Sequence, residues 1–119
     1  MDQVRSLLEL VRASLEDDKA EDIAVIDLAG KSDMADYMVV ATGQSQRQVG
    51  AMADHLQRKL KASGVRGIAV EGLARSDWVL IDGGDIIVHL FRPEVRAFYN
   101  LEKMWGQELP EPTRPAANA

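Results

Sequence analysis

The stretch Asp77–Trp105, DWVLIDGGDIIVHLFRPEVRAFYNLEKMW, decides the fold. It holds Trp78, Trp105, Phe91, Phe98 and Tyr99 in a chain that is only 5% aromatic. Two apolar runs flank Gly83-Gly84, as in a hairpin closed by a two-residue primed turn, where the positive φ of the central residues favours glycine. A turn on those glycines opposes Asp82 with Asp85, Ile81 with Ile86, Leu80 with Ile87, Val79 with Val88, and Trp78 with His89. Opposed residues share a face. One face is then Val79, Ile81, Ile86, Val88 and Leu90, wholly aliphatic and expected in the core. The other carries Trp78, Leu80, Ile87, His89 and Phe91, with two like charges opposed at the turn at a cost of up to ~1 kcal/mol. Arg92-Pro93-Glu94 then opens a helix, with proline at its first position and a glutamate in its positive first turn. Val95, Phe98, Leu101 and Trp105 form its inner stripe, leaving Arg96 and Tyr99 to its side.

Upstream, Val4, Leu7, Leu8, Val11 and Leu15 follow helical spacing and predict a helix over Asp2–Asp17. The run Ile23–Leu28 is short, apolar and β-branched, and reads as a buried strand. Tyr37–Thr42 reads as a second strand, ending at Gly43. Ser45 suits the N-cap of a helix over residues 46–63, whose inner positions are Val49, Met52, Ala53, Leu56 and Leu60, and Gly64 suits its left-handed end. Residues 68–71 give a brief third strand. The order α-β-β-α-β-β-β-α describes an α/β domain, a mixed β-sheet flanked by helices, over residues 1–105. Residues 106–119 are proline-rich without apolar periodicity, the composition of a disordered C-terminal tail.

The composition narrows the function. A length of 119 residues fits one domain, and 46% hydrophobic with 28% charged residues is ordinary for a soluble globule. No apolar run reaches the length of a membrane span, and the N-terminus lacks the pattern of a secretory signal. The absence of cysteine excludes disulfides and thiol chemistry and is compatible with the cytoplasm. A net charge of −5 argues against a phosphate-dominated nucleic-acid binder but suits a basic protein partner.

Catalytic signals are sparse. The chain lacks the nucleophile elbow, P-loop, dinucleotide and zinc-protease motifs. The acidic residues Glu16–Asp18 and Glu21-Asp22 read as a solvated helix end and loop, and His55 as a surface histidine. The junction Thr42-Gly43-Gln44-Ser45 either cradles a phosphate at a helix N-terminus or is a capped turn. The face of Trp78 and His89 likewise has two readings: a covered, half-polar layer, or a partner-binding patch anchored by tryptophan.

The hairpin and helix, with DYMVVATGQS at Asp36–Ser45 and VEG at Val70–Gly72, resemble the Iojap-like (RsfS) family of bacterial ribosomal silencing factors. The resemblance covers about Val4–Trp105, with a departure at Gly83, where many relatives carry a larger residue. It implies a nucleotidyltransferase-like fold without a demonstrated transferase activity and a homodimer when free; with catalytic signals this sparse, no cofactor or metal is expected. It also implies binding to the large ribosomal subunit through its ribosomal protein number fourteen, which blocks subunit joining and represses translation. Under that reading the contact residues are Trp78, Leu80, Asp82, His89, Phe91, Arg92 and Tyr99, then Asp85, Arg96, Lys31, Asp33 and Tyr37. The competing reading is a nucleotide-binding or nucleotidyl-transferring enzyme using Gly43–Ser45 with Asp27 or Asp82.

Overall fold

The computed structural model describes residues 2–28 and 35–95. Its elements run α1 (Asp2–Asp17), β1 (Glu21–Asp27), β2 (Tyr37–Thr42), α2 (Gln46–Ala62), β3 (Ala69–Glu71), β4 (Trp78–Asp82) and β5 (Ile86–Phe91). Local chemistry sets these limits. Ser45 is extended, and its hydroxyl accepts the Gln48 N–H, satisfying one of the amides a helix start leaves without an internal partner. Gly64, at φ +98°, takes the left-handed conformation that ends α2. Strand β1 starts two residues earlier than the apolar pattern predicts, because Glu21 pairs with Thr42 across an irregularity before Ala24. Residues 93–95 begin a helical turn; the rest of the predicted last helix and the predicted tail lie outside the described residues.

The five strands lie in the order β1-β2-β5-β4-β3. Strands β2 and β5 are parallel, joined by a crossover that contains α2, and every other neighbouring pair is antiparallel. Both helices pack on one face. Val11 and Leu15 of α1, and Val49, Met52, Leu56 and Leu60 of α2, close over Val39, Ala41, Val79, Ile81, Ile86, Val88 and Leu90. The aliphatic hairpin face is therefore core, as its composition predicts. Gly43 holds the β2–α2 junction tight, since a Cβ there would lie 2.8 Å from a methyl of Val49.

The hairpin register differs from the sequence reading. Trp78 pairs with Phe91, Leu80 with His89, and Asp82 with Ile87, a shift of two residues. The Gly83 N–H donates to the Ile86 carbonyl at 3.0 Å, so the turn is centred on Gly84-Asp85. Only Gly84 has positive φ, at +92°. Three bonds hold this placement: the Asp82 carboxylate accepts the Gly84 N–H at 2.9 Å, and the Asp85 carbonyl accepts from Asp36 and Tyr37 at 2.8 and 3.2 Å. Asp82 and Asp85 are not opposed, and the expected charge penalty is absent. A shift by two preserves which residues share a face, because side chains alternate with period two.

Gly83 edges a groove of about 630 Å³ whose walls include Leu7, Leu10 and Val65. A Cβ at Gly83 would meet the Ile86 oxygen at 3.4 Å and Leu60 and Val65 at 3.9 and 4.0 Å, all ordinary contacts. The turn placement predicts opposite outcomes for two neighbours. Gly84→Ala forces alanine into positive φ and should destabilise by about 1 kcal/mol, whereas Gly83→Ala should be neutral or stabilise by about 0.5 kcal/mol. Urea denaturation of the two variants checks this, and a turn on Gly83-Gly84 would make both substitutions costly.

Candidate functional site

The second sheet face is closed in this structure. Trp78 retains 5% exposure, and His89 and Phe91 have none. They form one stack: Trp78 on Phe91 with centroids 5.0 Å apart, and His89 on Phe91 at 5.9 Å. Met38, Val40 and Ile87 complete the floor, and Leu28, Ala35, Ile26, Leu80 and Val95 pack around it. Of the two sequence readings of this face, the covered layer is the one observed. Trp78, His89 and Phe91, expected on an exposed face, are buried in the free chain, where rings of this size pack readily against a sheet that supplies a polar partner. Trp78→Ala therefore removes core volume, at roughly 3–5 kcal/mol, and does not isolate a contact.

That polar partner is internal. The Trp78 Nε1–H donates to His89 Nδ1 at 2.9 Å. Indole N–H only donates, so Nδ1 is unprotonated and the neutral ring carries its hydrogen on Nε2. Nε2 is buried without a partner among the described residues, an arrangement that costs on the order of 1–3 kcal/mol. Burial lowers the imidazole pKa from 6.5 to about 4. Nothing here makes His89 a base: it faces a hydrocarbon floor and an indole.

At the opposite end of β4 from the turn lies a cluster the sequence reading missed. The Arg92 Nε donates to Asp77 Oδ1 at 2.8 Å, Gln46 Nε2 donates to that same Oδ1 at 2.9 Å, and the Arg92 N–H donates to the Asp77 carbonyl at 3.0 Å. Arg92 also reaches Glu94 at 3.0 Å. The Gln46 hydrogen bond, then the Arg92 hydrogen bond and charge, hold the Asp77 carboxyl below its usual pKa against partial desolvation. This clamp ties the starts of α2 and β4 to the residue after β5. Asp77 and Arg92 stand opposite each other only in the observed register; a turn on Gly83-Gly84 would set Asp77 against Leu90, hiding the pair.

The remaining predicted residues do not converge. Leu80 and Asp82 lie partly exposed on the second face, and Asp85 is exposed at the turn. Tyr37 packs on the other face, against the helices. Lys31, Asp33, Arg96 and Tyr99 lie outside the described residues. His55 is exposed and pairs with Asp18 at 2.9 Å, a surface role as predicted. The enzyme constellation is divided. Asp27 pairs with Tyr37 at the start of β2, and Asp82 sits at the turn end of β4, while Gly43–Ser45 follows the far end of β2, roughly 17 Å along the strand. The Ser45 hydroxyl is occupied as a cap. Among the described residues, no three acidic, histidine or cysteine side chains are grouped to hold a metal ion.

The lowered His89 pKa fixes the sign of a pH effect. The unfolded chain takes up a proton near pH 6.5, while the native imidazole resists until about pH 4. Stability should fall as pH drops through that window, by about 2 kcal/mol between pH 7 and pH 5. Urea midpoints at the two values check this, with His89→Gln expected to remove most of the difference.

Comparison with known proteins places this architecture. The family described as "Ribosomal silencing factor during starvation" matches residues 1–118. The chain is 62% identical over 100 residues to the ribosomal silencing factor RsfS of Zymomonas mobilis, covering 84% of this chain and 75% of that protein. A crystal structure of a Chromobacterium violaceum protein superposes with a TM-score of 0.83 at 40% identity, covering 96% of this chain and 95% of that one. A mouse protein named for mitochondrial assembly of the ribosomal large subunit is 33% identical over 101 residues, covering 82% of this chain but 44% of its own length. The five-stranded sheet, its two helices and the hairpin quoted at the outset are those of the RsfS ribosomal silencing factors, and this chain belongs to that family.

Proposed function

We propose that this protein binds the large ribosomal subunit and represses translation by occupying the surface where the small subunit docks. Its partner there is a ribosomal protein, the fourteenth of the large subunit, and it acts in the cytoplasm without a cofactor, as a homodimer when free. The observation that carries this reading is family membership across nearly the whole chain. The mouse relative's name, which refers to the large subunit, points the same way. Physical features agree. A net charge of −5 complements a basic ribosomal protein and speeds encounter. An occluder needs a rigid face rather than a pocket with converging catalytic groups, and the divided enzyme constellation fits that requirement.

Within the described residues, the surface assigned to the partner is the turn end of the second face: Leu80, Asp82 and Asp85, carried on the buried stack of Trp78, His89 and Phe91. Arg92, committed to Asp77 and Glu94, contributes through the clamp. Added protein should lower the yield of rejoined ribosomes when purified subunits are mixed and run on a sucrose gradient. The variant Asp85→Lys, at an exposed turn position, should keep its fold and lose at least tenfold in affinity for isolated large subunits. Unchanged subunit joining would sink the occlusion reading. Saturable heats on titration with ATP or CTP and magnesium would favour the enzyme.

A further inference from the structure

Strand β1 is an outer strand of the sheet, with β2 on one side and no described strand on the other. Three backbone bonds fix which way its amides point. The Gly43 and Tyr37 N–H groups donate to the Phe91 and Asp85 carbonyls, so Tyr37, Val39 and Ala41 turn their backbone groups toward β5. Met38 and Val40 therefore turn theirs toward β1, opposite Ile26 and Ala24. The Leu28 N–H donates to the Asp36 carbonyl and continues the same parity. Ala24, Ile26 and Leu28 thus face β2, and Val25 directs its N–H and C=O out of the sheet. The Val25 side chain, on the helix face opposite Val39, is 39% exposed and lies outside the apolar cluster closed by α1 and α2. Open edges ordinarily carry a device against further pairing. Here it is found at the start of β1, where Asp22 at φ +52° and the shift between Glu21 and Ala24 break the strand's regularity. From Ala24 to Asp27 the register with β2 is regular.

We propose that the Val25 edge of β1 is a docking site for an extended, basic segment of another protein, which adds a strand to the sheet there. Backbone bonds to the Val25 N–H and C=O supply the attachment, and side chains at alternate positions supply the choice of partner. Charge selects the occupant. Strand β1 carries three exposed acids, Glu21, Asp22 and Asp27, and no base. Glu21 accepts a hydrogen bond from the uncharged Gln44 amide, which leaves its charge in place. A second copy of this chain would bring the same three acids, and a further net charge of −5, to the edge. A strand with an apolar residue opposite Val25 and a lysine or arginine two residues along, on the same face, meets Val25 with hydrocarbon and Asp27 with opposite charge. The site is separate from the turn-end surface of Leu80, Asp82 and Asp85, and neither depends on the other.

The test titrates the full chain, labelled with nitrogen-15, with a blocked peptide of sequence Thr-Lys-Thr-Val-Thr-Lys-Thr and with its counterpart carrying glutamate in place of lysine. The lysine peptide should shift the Val25 N–H resonance and slow its hydrogen exchange at least tenfold at saturation, while the glutamate peptide leaves both unchanged. Val25→Pro removes the outward donor but none of the bonds to β2, so it should fold and bind the lysine peptide at least tenfold more weakly. Val25→Lys keeps the donor and sets like charge against the peptide; it should weaken binding as much, and it carries the test if Val25→Pro fails to fold. A Val25 amide unmoved at millimolar lysine peptide overturns the site, as does parental affinity in Val25→Pro or Val25→Lys. Equal binding of the two peptides overturns the basic occupant. Val25 protection that grows with protein concentration in the absence of peptide assigns the edge to a second copy and overturns the proposal as well.

Discussion

Strand β5 is the constraint on which the rest of the structure depends. It pairs with β2 on one side and β4 on the other, and all six of its residues are buried. Its backbone groups have two ladders to satisfy them, as an interior strand must. Its side chains divide cleanly: Ile86, Val88 and Leu90 seat both helices, while Ile87, His89 and Phe91 form the floor of the other face. A polar side chain in such a strand has no water to fall back on. The histidine is tolerated because one of its nitrogens is bonded and because it stays neutral, while the register of β4 is held by the Asp77–Arg92 pair. Sliding β4 by two residues would leave the sheet faces unchanged but carry Trp78 from its place opposite Phe91 and separate Asp77 from Arg92.

Strand β5 also explains which parts of the fold were legible in the sequence. The limits of α1 follow from an apolar stripe at helical period, and the start of α2 from Ser45, because both are local signals. The two faces of the hairpin follow from alternation alone and survive a shift of two residues. The turn does not follow. Two adjacent glycines offer two centres for a two-residue turn, and the choice between them is made by the local bond from the Gly84 N–H to Asp82 together with the amides of Asp36 and Tyr37, which are distant in sequence. The start of β1 was obscured for a similar reason, since Glu21 joins the sheet through an irregular pairing and Asp22 sits at φ +52°.

The candidate site was legible in composition but not in exposure. An aromatic cluster in an aromatic-poor chain marks a place where large surfaces meet, and the Trp78–His89–Phe91 stack is such a place. Whether those surfaces meet within the chain or outside it depends on what covers the sheet, which alternation along a strand does not encode. The same argument accounts for Tyr37. It begins β2, close in the sheet to the turn, yet its parity sends it to the helix face, away from Leu80 and Asp82. Proximity in the sheet and membership of one surface are different properties, and only the second makes a contact patch.

The two ends of the hairpin then have separate duties. At the Trp78–Phe91 end, Asp77 accepts three hydrogen bonds from two residues on different elements, and its lowered pKa keeps that clamp charged well into the acid range. At the turn end, the Asp85 backbone is fixed to β2 while its side chain is exposed, with the partly exposed Asp82 nearby. Fixed backbone with solvated charge is what steering requires: the acids lose little entropy on meeting a basic partner, and they need not be dehydrated beforehand. A catalytic reading asks for the reverse, carboxylates brought together and partly buried beside the glycine–serine junction. The length of β2 keeps them apart. The sheet and the capped helix thus keep the acidic groups of the turn and the glycine–serine junction at opposite ends of β2.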